Sequence, residues 1–187
     1  MDKSVYLSID LDFWSEYSSR KSSDRFFNKI INLDLPLLVV DSHEEIVDHV
    51  NTSGANILIN MDSHSDIIGF YGLDDKKEEL SSREEYNWAN HVSWRANGSF
   101  VWLYPTYYCY EDGTGIGTCC DVEVDPFKIN NTGWKSISLC CGVNNIDFNS
   151  IRAVSISISK EYTNIKTVKG ILKYINSFYY GSEKLVS

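Results

Sequence analysis

Ile57-Leu58-Ile59-Asn60-Met61-Asp62-Ser63-His64-Ser65-Asp66 is an apolar run that stops abruptly on two carboxylates and an imidazole. A short apolar run of this kind reads as a strand buried on both faces, as in a parallel sheet. The pattern recurs upstream. Leu37 to Val40 stops on Asp41-Ser42-His43, and Val5 to Ile9 stops on Asp10-Leu11-Asp12. All three clusters therefore belong at strand carboxyl ends, where open α/β sheets bind ligands. Five aspartates and two histidines meeting there would repel one another and be costly to desolvate unless cations neutralise them. The pattern predicts a metal site, with two ions.

Outward from these strands, the chain alternates elements. Asp24 reads as the cap of a helix carrying Phe26, Phe27, Ile30 and Ile31 at helical spacing. Leu35 to Val40 is the second strand. Glu44 to Val50 is short and helical, with Ile46, Val47 and Val50 on one face, and Ser53-Gly54 ends it. Ile57 to Met61 is the third strand. Residues 67–80 break into Gly69, Gly72, Asp74 and Asp75, which predicts a loop near the site mouth. A helix is expected over Arg83 to Arg95, a strand over Phe100 to Tyr104, and an aromatic, Gly-rich loop over Tyr107 to Thr118. Ile137 to Cys140 and Ala153 to Ile158 are further strands, the second alternating Val154, Ile156 and Ile158 with serines. A closing helix is expected from about Asn164 to Tyr180, stopped by Gly181. Repeated β-α order with short connections predicts a mostly parallel, doubly wound α/β sheet in a single domain over residues 1–187.

Composition narrows the class. A 187-residue chain that is 43% hydrophobic can bury a sizeable core. The formal net charge of -9 argues against a nucleic-acid partner, which needs clustered Lys and Arg. The N-terminal residues pass directly into a strand without the apolar core of a signal peptide, and no stretch is apolar enough to span a membrane. A cytoplasmic protein without a membrane partner is expected; the oligomeric state is not legible. The five cysteines, Cys109, Cys119, Cys120, Cys140 and Cys141, include no Cys-x-x-Cys and read as reduced thiols.

Spacing within the clusters specifies the metal chemistry. Residues two apart in an extended segment point the same way, so Asp62, His64 and Asp66 can reach toward one centre. Carboxylate oxygen with imidazole nitrogen, and no thiolate, suits harder divalent ions such as Mn²⁺ or Fe²⁺. Alone, this motif would also read as a hydrogen-bonded turn of Asp and Ser residues. Asp10 and Asp12 repeat the two-residue spacing at another strand end, and His43 adds a second imidazole. His49 lies outside the clusters and reads as a solvated residue.

These segments resemble the arginase (ureohydrolase) superfamily, in which a Gly-Asp-His segment, an Asp-x-His-x-Asp segment and a Ser-x-Asp-x-Asp segment hold two manganese ions. The matches are Val40-Asp41-Ser42-His43, Asp62-Ser63-His64-Ser65-Asp66 and Ser8-Ile9-Asp10-Leu11-Asp12. The Asp-x-Asp segment comes first here and last in arginases, and the chain is shorter, as though the fold were shortened and circularly permuted. Both departures resemble a small arginase-related family that includes the peptide arginases of ribosomal-peptide (proteusin-type) biosynthesis. There an Ile-Asp-Leu-Asp-Phe segment comes first and a Ser-x-Ser-x-Glu-Tyr segment late, here Ser157 to Tyr162.

The resemblance implies a three-layer α/β/α arrangement and a dinuclear Mn²⁺ site. One ion would be held by His43, Asp62, Asp66 and Asp10, and the other by His64, Asp62, Asp10 and Asp12, with Asp62 and Asp10 bridging. Asp41 would orient His43 or the strand end. Two ions roughly 3.5 Å apart can activate a shared water. The implied reaction is hydrolysis of arginine guanidinium to ornithine and urea, on an arginine-containing precursor peptide. Asp66 is a candidate proton carrier to the leaving amine, and His91 a candidate acid-base group that would otherwise read as a partly buried helix histidine. Glu161 is a candidate partner for the substrate guanidinium, or else an exposed capping acid. Two other functions remain open: a haloacid-dehalogenase-like phosphatase using Asp10 as nucleophile, and a non-catalytic peptide-binding module.

Overall fold

The computed structural model describes residues 3–14, 20–67, 83–84, 87–105, 122–124, 133–141, 146–160, 163, 166 and 169–173. Seven strands form one sheet: β1 (Val5–Asp10), β2 (Leu37–Val40), β3 (Ile57–Met61), β4 (Ser99–Tyr104), β5 (Val122–Val124), β6 (Ser136–Cys141) and β7 (Ile151–Ser157). Their order is β2-β7-β1-β3-β4-β6-β5. Six are parallel, and β5 runs antiparallel at the edge against β6. The expected α/β class and mostly parallel sheet hold.

The order places a reversal beside β1. From β1 the chain crosses to β2 on one side, leaving a slot that β7 later fills, and then returns to lay β3 on the other side. Ligands gather in the crevice outside the strand ends at such a switch point. Register makes the ends meet: Ser8 pairs with Asn60 and with Ser155, Asp10 with Ser157, and Val40 with Ser157.

Period-2 alternation gives the two sheet faces different characters. Leu7, Ile9, Ile59, Met61, Val154 and Ile156 enter one apolar cluster with Phe26, Phe27 and Ile30 of helix α1 (Arg20–Ile31). The opposite face grades along the strands. Tyr6, Leu58 and Ala153 pack with Ile46, Val47 and Val50 around helix α2 (Val47–Thr52). One pleat further are Ser8, Asn60 and Ser155, all buried, and one further still are Asp10, Asp62 and Ser157.

Several expected boundaries move. Helix α1 begins at Arg20, so Asp24 lies inside it and is not its cap. Its first turn is polar, and apolar periodicity reports only the buried part of a helix. In place of a continuous helix over Arg83 to Arg95, the described residues hold two 3₁₀ turns, Trp88–His91 and Arg95–Asn97. Asn87 accepts the Glu84 N–H through its side-chain oxygen at 2.9 Å, the local competition by which short polar side chains interrupt helices. Helix remains at Lys166 and 169–173 within the expected closing segment. Residues 68–80, the loop from Tyr107 to Thr118, Cys109, Cys119 and Cys120 lie outside the described residues. Strand β5 was not expected, since three residues are too few to show a period. Among the described residues, no helix is long and apolar enough to cross a membrane.

Candidate metal centre

The three clusters converge because their strands are neighbours. Asp10 ends β1, Asp62 follows β3, and His43 opens the 3₁₀ turn His43–Ile46 after β2. That turn is held at its start by the Glu45 side chain, which accepts the Ser42 N–H at 3.0 Å. The Asp62 backbone is pinned from both directions: its N–H donates to the Leu103 carbonyl at 3.1 Å, and its carbonyl accepts the Trp102 indole N–H at 3.0 Å.

Three carboxylate oxygens surround one imidazole nitrogen. His43 Nδ1 lies 2.9 Å from Asp66 Oδ2, 3.1 Å from Asp62 Oδ2 and 3.3 Å from Asp10 Oδ2, and all four residues are buried. Close as they are, none forms a well-directed hydrogen bond with Nδ1. A single N–H cannot serve three oxygens; a cation shared among them can. The opposite nitrogen, Nε2, is engaged by Ser8 Oγ at 2.6 Å.

A second group lies alongside. His64 Nδ1 is 3.2 Å from Asp12 Oδ2 and 3.7 Å from Asp62 Oδ1. Donor atoms of Asp10, His43 and Asp62 lie within 4.8 Å of one another, as do those of Asp12, Asp62 and His64, and each group could hold a metal ion. Asp62 belongs to both, presenting Oδ2 to one and Oδ1 to the other, whereas Asp10, expected to bridge as well, falls in the first group alone. The second group opens outward, since the His64 ring is 57% exposed.

Other hydrogen bonds fix the carboxylates. Asp10 accepts the Asp12 N–H at 3.0 Å and the Ser159 hydroxyl, and Ser159 contacts Ser157 at 3.0 Å. Asp12 accepts the Ser63 N–H at 3.2 Å, and Asp62 the His64 N–H at 2.7 Å. The Asn60 amide reaches Asp62 and Asp66 at 3.4 Å each. Trp88 donates its indole N–H to Asp66 Oδ2 at 2.6 Å while its ring packs on His43 with centroids 4.7 Å apart. Asp66 and Ser159 carry positive φ, 54° and 42°. Left-handed backbone at non-glycine residues is strained, and such strain collects at functional sites. Replacing Trp88 by phenylalanine, which keeps an aromatic, though smaller, side chain and deletes the N–H, is expected to weaken divalent-metal affinity about 10- to 100-fold, the usual effect of losing a partner that orients a ligand. Metal titration of the variant checks this, and unchanged affinity refutes the role.

The charge balance calls for cations. Burial and the charges of Asp62 and Asp10 push Asp12 up to about 7, against the opposing pull of His64. Burial and the charge of Asp62 drive Asp66 well above the usual carboxylate range. For Asp62 burial is outweighed by His43 and His64, which hold it well below that range. His43 gains a pKa well above the ordinary imidazole value, because Asp10, Asp62 and Asp66 outweigh its complete burial. Asp12 and Asp62 raise His64 to about 11. Without ions, protons held on the acids and imidazoles relieve the repulsion that metal ions would otherwise relieve. The donor set fits a divalent ion with hard oxygen and imidazole preferences.

Of the residues singled out from sequence, Asp10, Asp12, His43, Asp62, His64 and Asp66 come together. Neither donor group includes His91, which closes the turn that carries Trp88 and is partly buried. Glu161 lies outside the described residues. Asp41 does not orient His43: it is exposed and pairs with Lys160 Nζ at 2.7 Å, and Ser8 takes the expected role. His49 is not simply solvated, since its ring is partly buried with Nδ1 2.7 Å from the Tyr6 hydroxyl. Sequence reasoning missed the hydrogen bonds by which Ser8, Asn60, Trp88 and Ser159 hold the centre's side chains. For the first two the signal was present, as Tyr6-x-Ser8-x-Asp10 and Leu58-x-Asn60-x-Asp62 share one face by alternation.

No protein-family model matches this chain, and comparisons with curated proteins and with solved structures give no match. Fold and site define an α/β protein with a buried Asp/His centre at the strand ends, able to hold a metal ion.

Proposed function

We propose that this chain is a dinuclear, Mn²⁺-dependent hydrolase of the arginase type, converting arginine side chains of a peptide to ornithine with release of urea. The observation that carries the reading is the pair of donor groups joined through the two oxygens of Asp62. A shared carboxylate between two imidazole-containing groups is what a two-ion site requires and a single structural ion does not. Bound there, two divalent ions supply a water activated at neutral pH. His43, Asp10 and Asp66 would hold the buried ion, and Asp12 and His64 the outer one, with Asp62 common to both. The exposure of His64 leaves the outer group facing solvent, the side from which an extended peptide could present a guanidinium. Asp66, held by the Trp88 N–H beside the buried group, is placed to pass a proton from the activated water to the leaving amine. The phosphatase alternative through Asp10 gives His43 and His64 no task.

Incubating the Mn²⁺-loaded chain with an arginine-containing peptide is expected to lower the peptide mass by one CH2N2 unit per arginine, with equimolar urea. An unchanged peptide, with the chain folded and metal-bound, refutes the activity. Phosphate release from phosphomonoesters under Mg²⁺ would replace it with the phosphatase reading.

A further inference from the structure

Ser159 stands in a backbone conformation that serine seldom takes. Among the described residues, three non-glycines have positive φ: Asp34, Asp66 and Ser159. Aspartate is enriched in the left-handed region and serine is not, so Ser159, at 42°, is the least favoured of the three. The conformation is enforced from both sides. The Ser159 N–H donates to the Asp41 carbonyl at 3.0 Å, and the Ser159 carbonyl accepts the Thr163 N–H and hydroxyl, each at 3.0 Å. Just before it, the Ile158 N–H donates to the Val40 carbonyl at 3.1 Å, so the turn is tied to the end of β2. A glycine would take this shape without strain. Strain that the surroundings hold in place points to a use for the side chain.

That side chain is buried, 3% exposed, and its hydroxyl donates to Asp10 Oδ2 at 2.5 Å. A hydroxyl has one proton to give, so at the 3.0 Å contact between Ser157 and Ser159 it is Ser157 that donates. Residues two apart in a strand are separated by about 6.6 Å along the chain. The left-handed turn brings these two hydroxyls together over the end of β7. The other Asp10 oxygen, Oδ1, accepts the Asp12 N–H at 3.0 Å. The carboxylate is thus gripped at both oxygens, with Oδ2 3.3 Å from His43 Nδ1.

We propose that Ser159 is a positioning residue of the metal centre: the left-handed turn after β7 delivers its hydroxyl to Asp10 Oδ2 and fixes that carboxylate in the His43 group. Asp10 belongs to that group and not to the Asp12–Asp62–His64 group, so the hydroxyl acts on the buried position alone. This rests on Asp10 as a metal ligand and not on guanidinium hydrolysis.

The test is Mn²⁺ titration of the full chain by calorimetry, beside thermal unfolding of the metal-free chain. Ser159→Ala and Ser159→Gly both remove the hydroxyl. Each is expected to weaken binding at the buried group about 10-fold, the lower end for losing a residue that orients a ligand, and to leave the outer group within a factor of about two. Stability should separate the two variants: the glycine chain, relieved of the left-handed strain, should unfold about 2–4 °C above the alanine chain. A merely structural role would let affinity follow that recovered stability, whereas a positioning role leaves both chains equally weak. In an Asp10→Ala chain, adding Ser159→Ala should change the affinity of the retained ion by less than about twofold, since the residue it acts through is gone. Parent-like affinity in either folded variant, affinity restored by glycine, or equal losses at both groups overturns the proposal. A glycine chain no more stable than the alanine chain, or a further loss in the Asp10→Ala background, overturns it too. Ser159→Gly carries the affinity measurement should Ser159→Ala not fold. A parent chain that binds no Mn²⁺ overturns the metal centre itself and this role with it, whereas tight binding without urea release overturns only the hydrolase reading.

Discussion

An Asp62→Ala chain is expected to retain no more than one Mn²⁺, bound more than about 100-fold less tightly than in the parent, the upper range for losing a residue that merely orients a ligand. Urea release should fall below detection. Among the described residues, Asp62 alone is common to both donor groups, so deleting it removes an oxygen from each. It is also a carboxylate held firmly in its ionised form, by two imidazoles at once. The alanine leaves His43 facing two acids and His64 facing one. Asp10→Ala provides the contrast. Asp10 contributes to the His43 group and not to the other, so the Asp12–Asp62–His64 group survives and one ion should remain. Metal analysis after gel filtration reads both results. Two ions retained in the Asp62→Ala chain would sink the bridging role, and equal losses in both variants would show that the two groups do not bind separately.

How much of this centre was legible from sequence depends on what each inference required. Strand ends were legible because burial on both faces writes an uninterrupted apolar run, and Ile57–Met61 is bounded as read. The six ligand candidates followed from where those runs stop. What single-residue spacing does not encode is the partner across the sheet. Asp41 is two positions from His43 in sequence, yet it points to Lys160 in solvent. Ser8 is distant in sequence, yet parallel register brings it beneath the imidazole. The serines of β7 were visible as an alternation, but which face they take is set by pairing with β1, where Ser155 meets Ser8 and Ser157 meets Asp10.

The segment around Trp88 failed for the opposite reason. Trp88, Ala89 and Val92 have helical spacing and are fully buried, so the period was real. Asn87 and Asn90, buried among them, favour tight turns over a continuous helix. The turn presents Trp88 to Asp66 and His43 together, which a pattern of apolar residues cannot reveal.

Saturating Mn²⁺ is expected to raise the unfolding temperature by about 5–11 °C for each ion bound, from the two scalings that follow. A ligand specific to the folded state at about 100 times its Kd adds about 2.7 kcal/mol. For a chain of this size each kcal/mol corresponds to about 2–4 °C. The physical source is the cluster itself: four carboxylates and two imidazoles that only folding brings together, relieved by cations in place of protons. Asp66→Asn separates the two contributions. In the metal-free chain Asp66 is driven toward its neutral acid by burial and by Asp62, and an asparagine reproduces that neutral group with an oxygen for the Trp88 N–H. Its metal-free unfolding temperature should therefore stay within about 2 °C of the parent. Its Mn²⁺ increment should shrink, because an amide is a weaker ligand than a carboxylate for a hard divalent ion. Scanning fluorimetry with and without Mn²⁺, followed by excess chelator, measures all four values. Should the increment persist in full in the Asp66→Asn chain, Asp66 holds no ion. Should Mn²⁺ bind without moving the parent curve, the ions sit elsewhere than in this folded cluster.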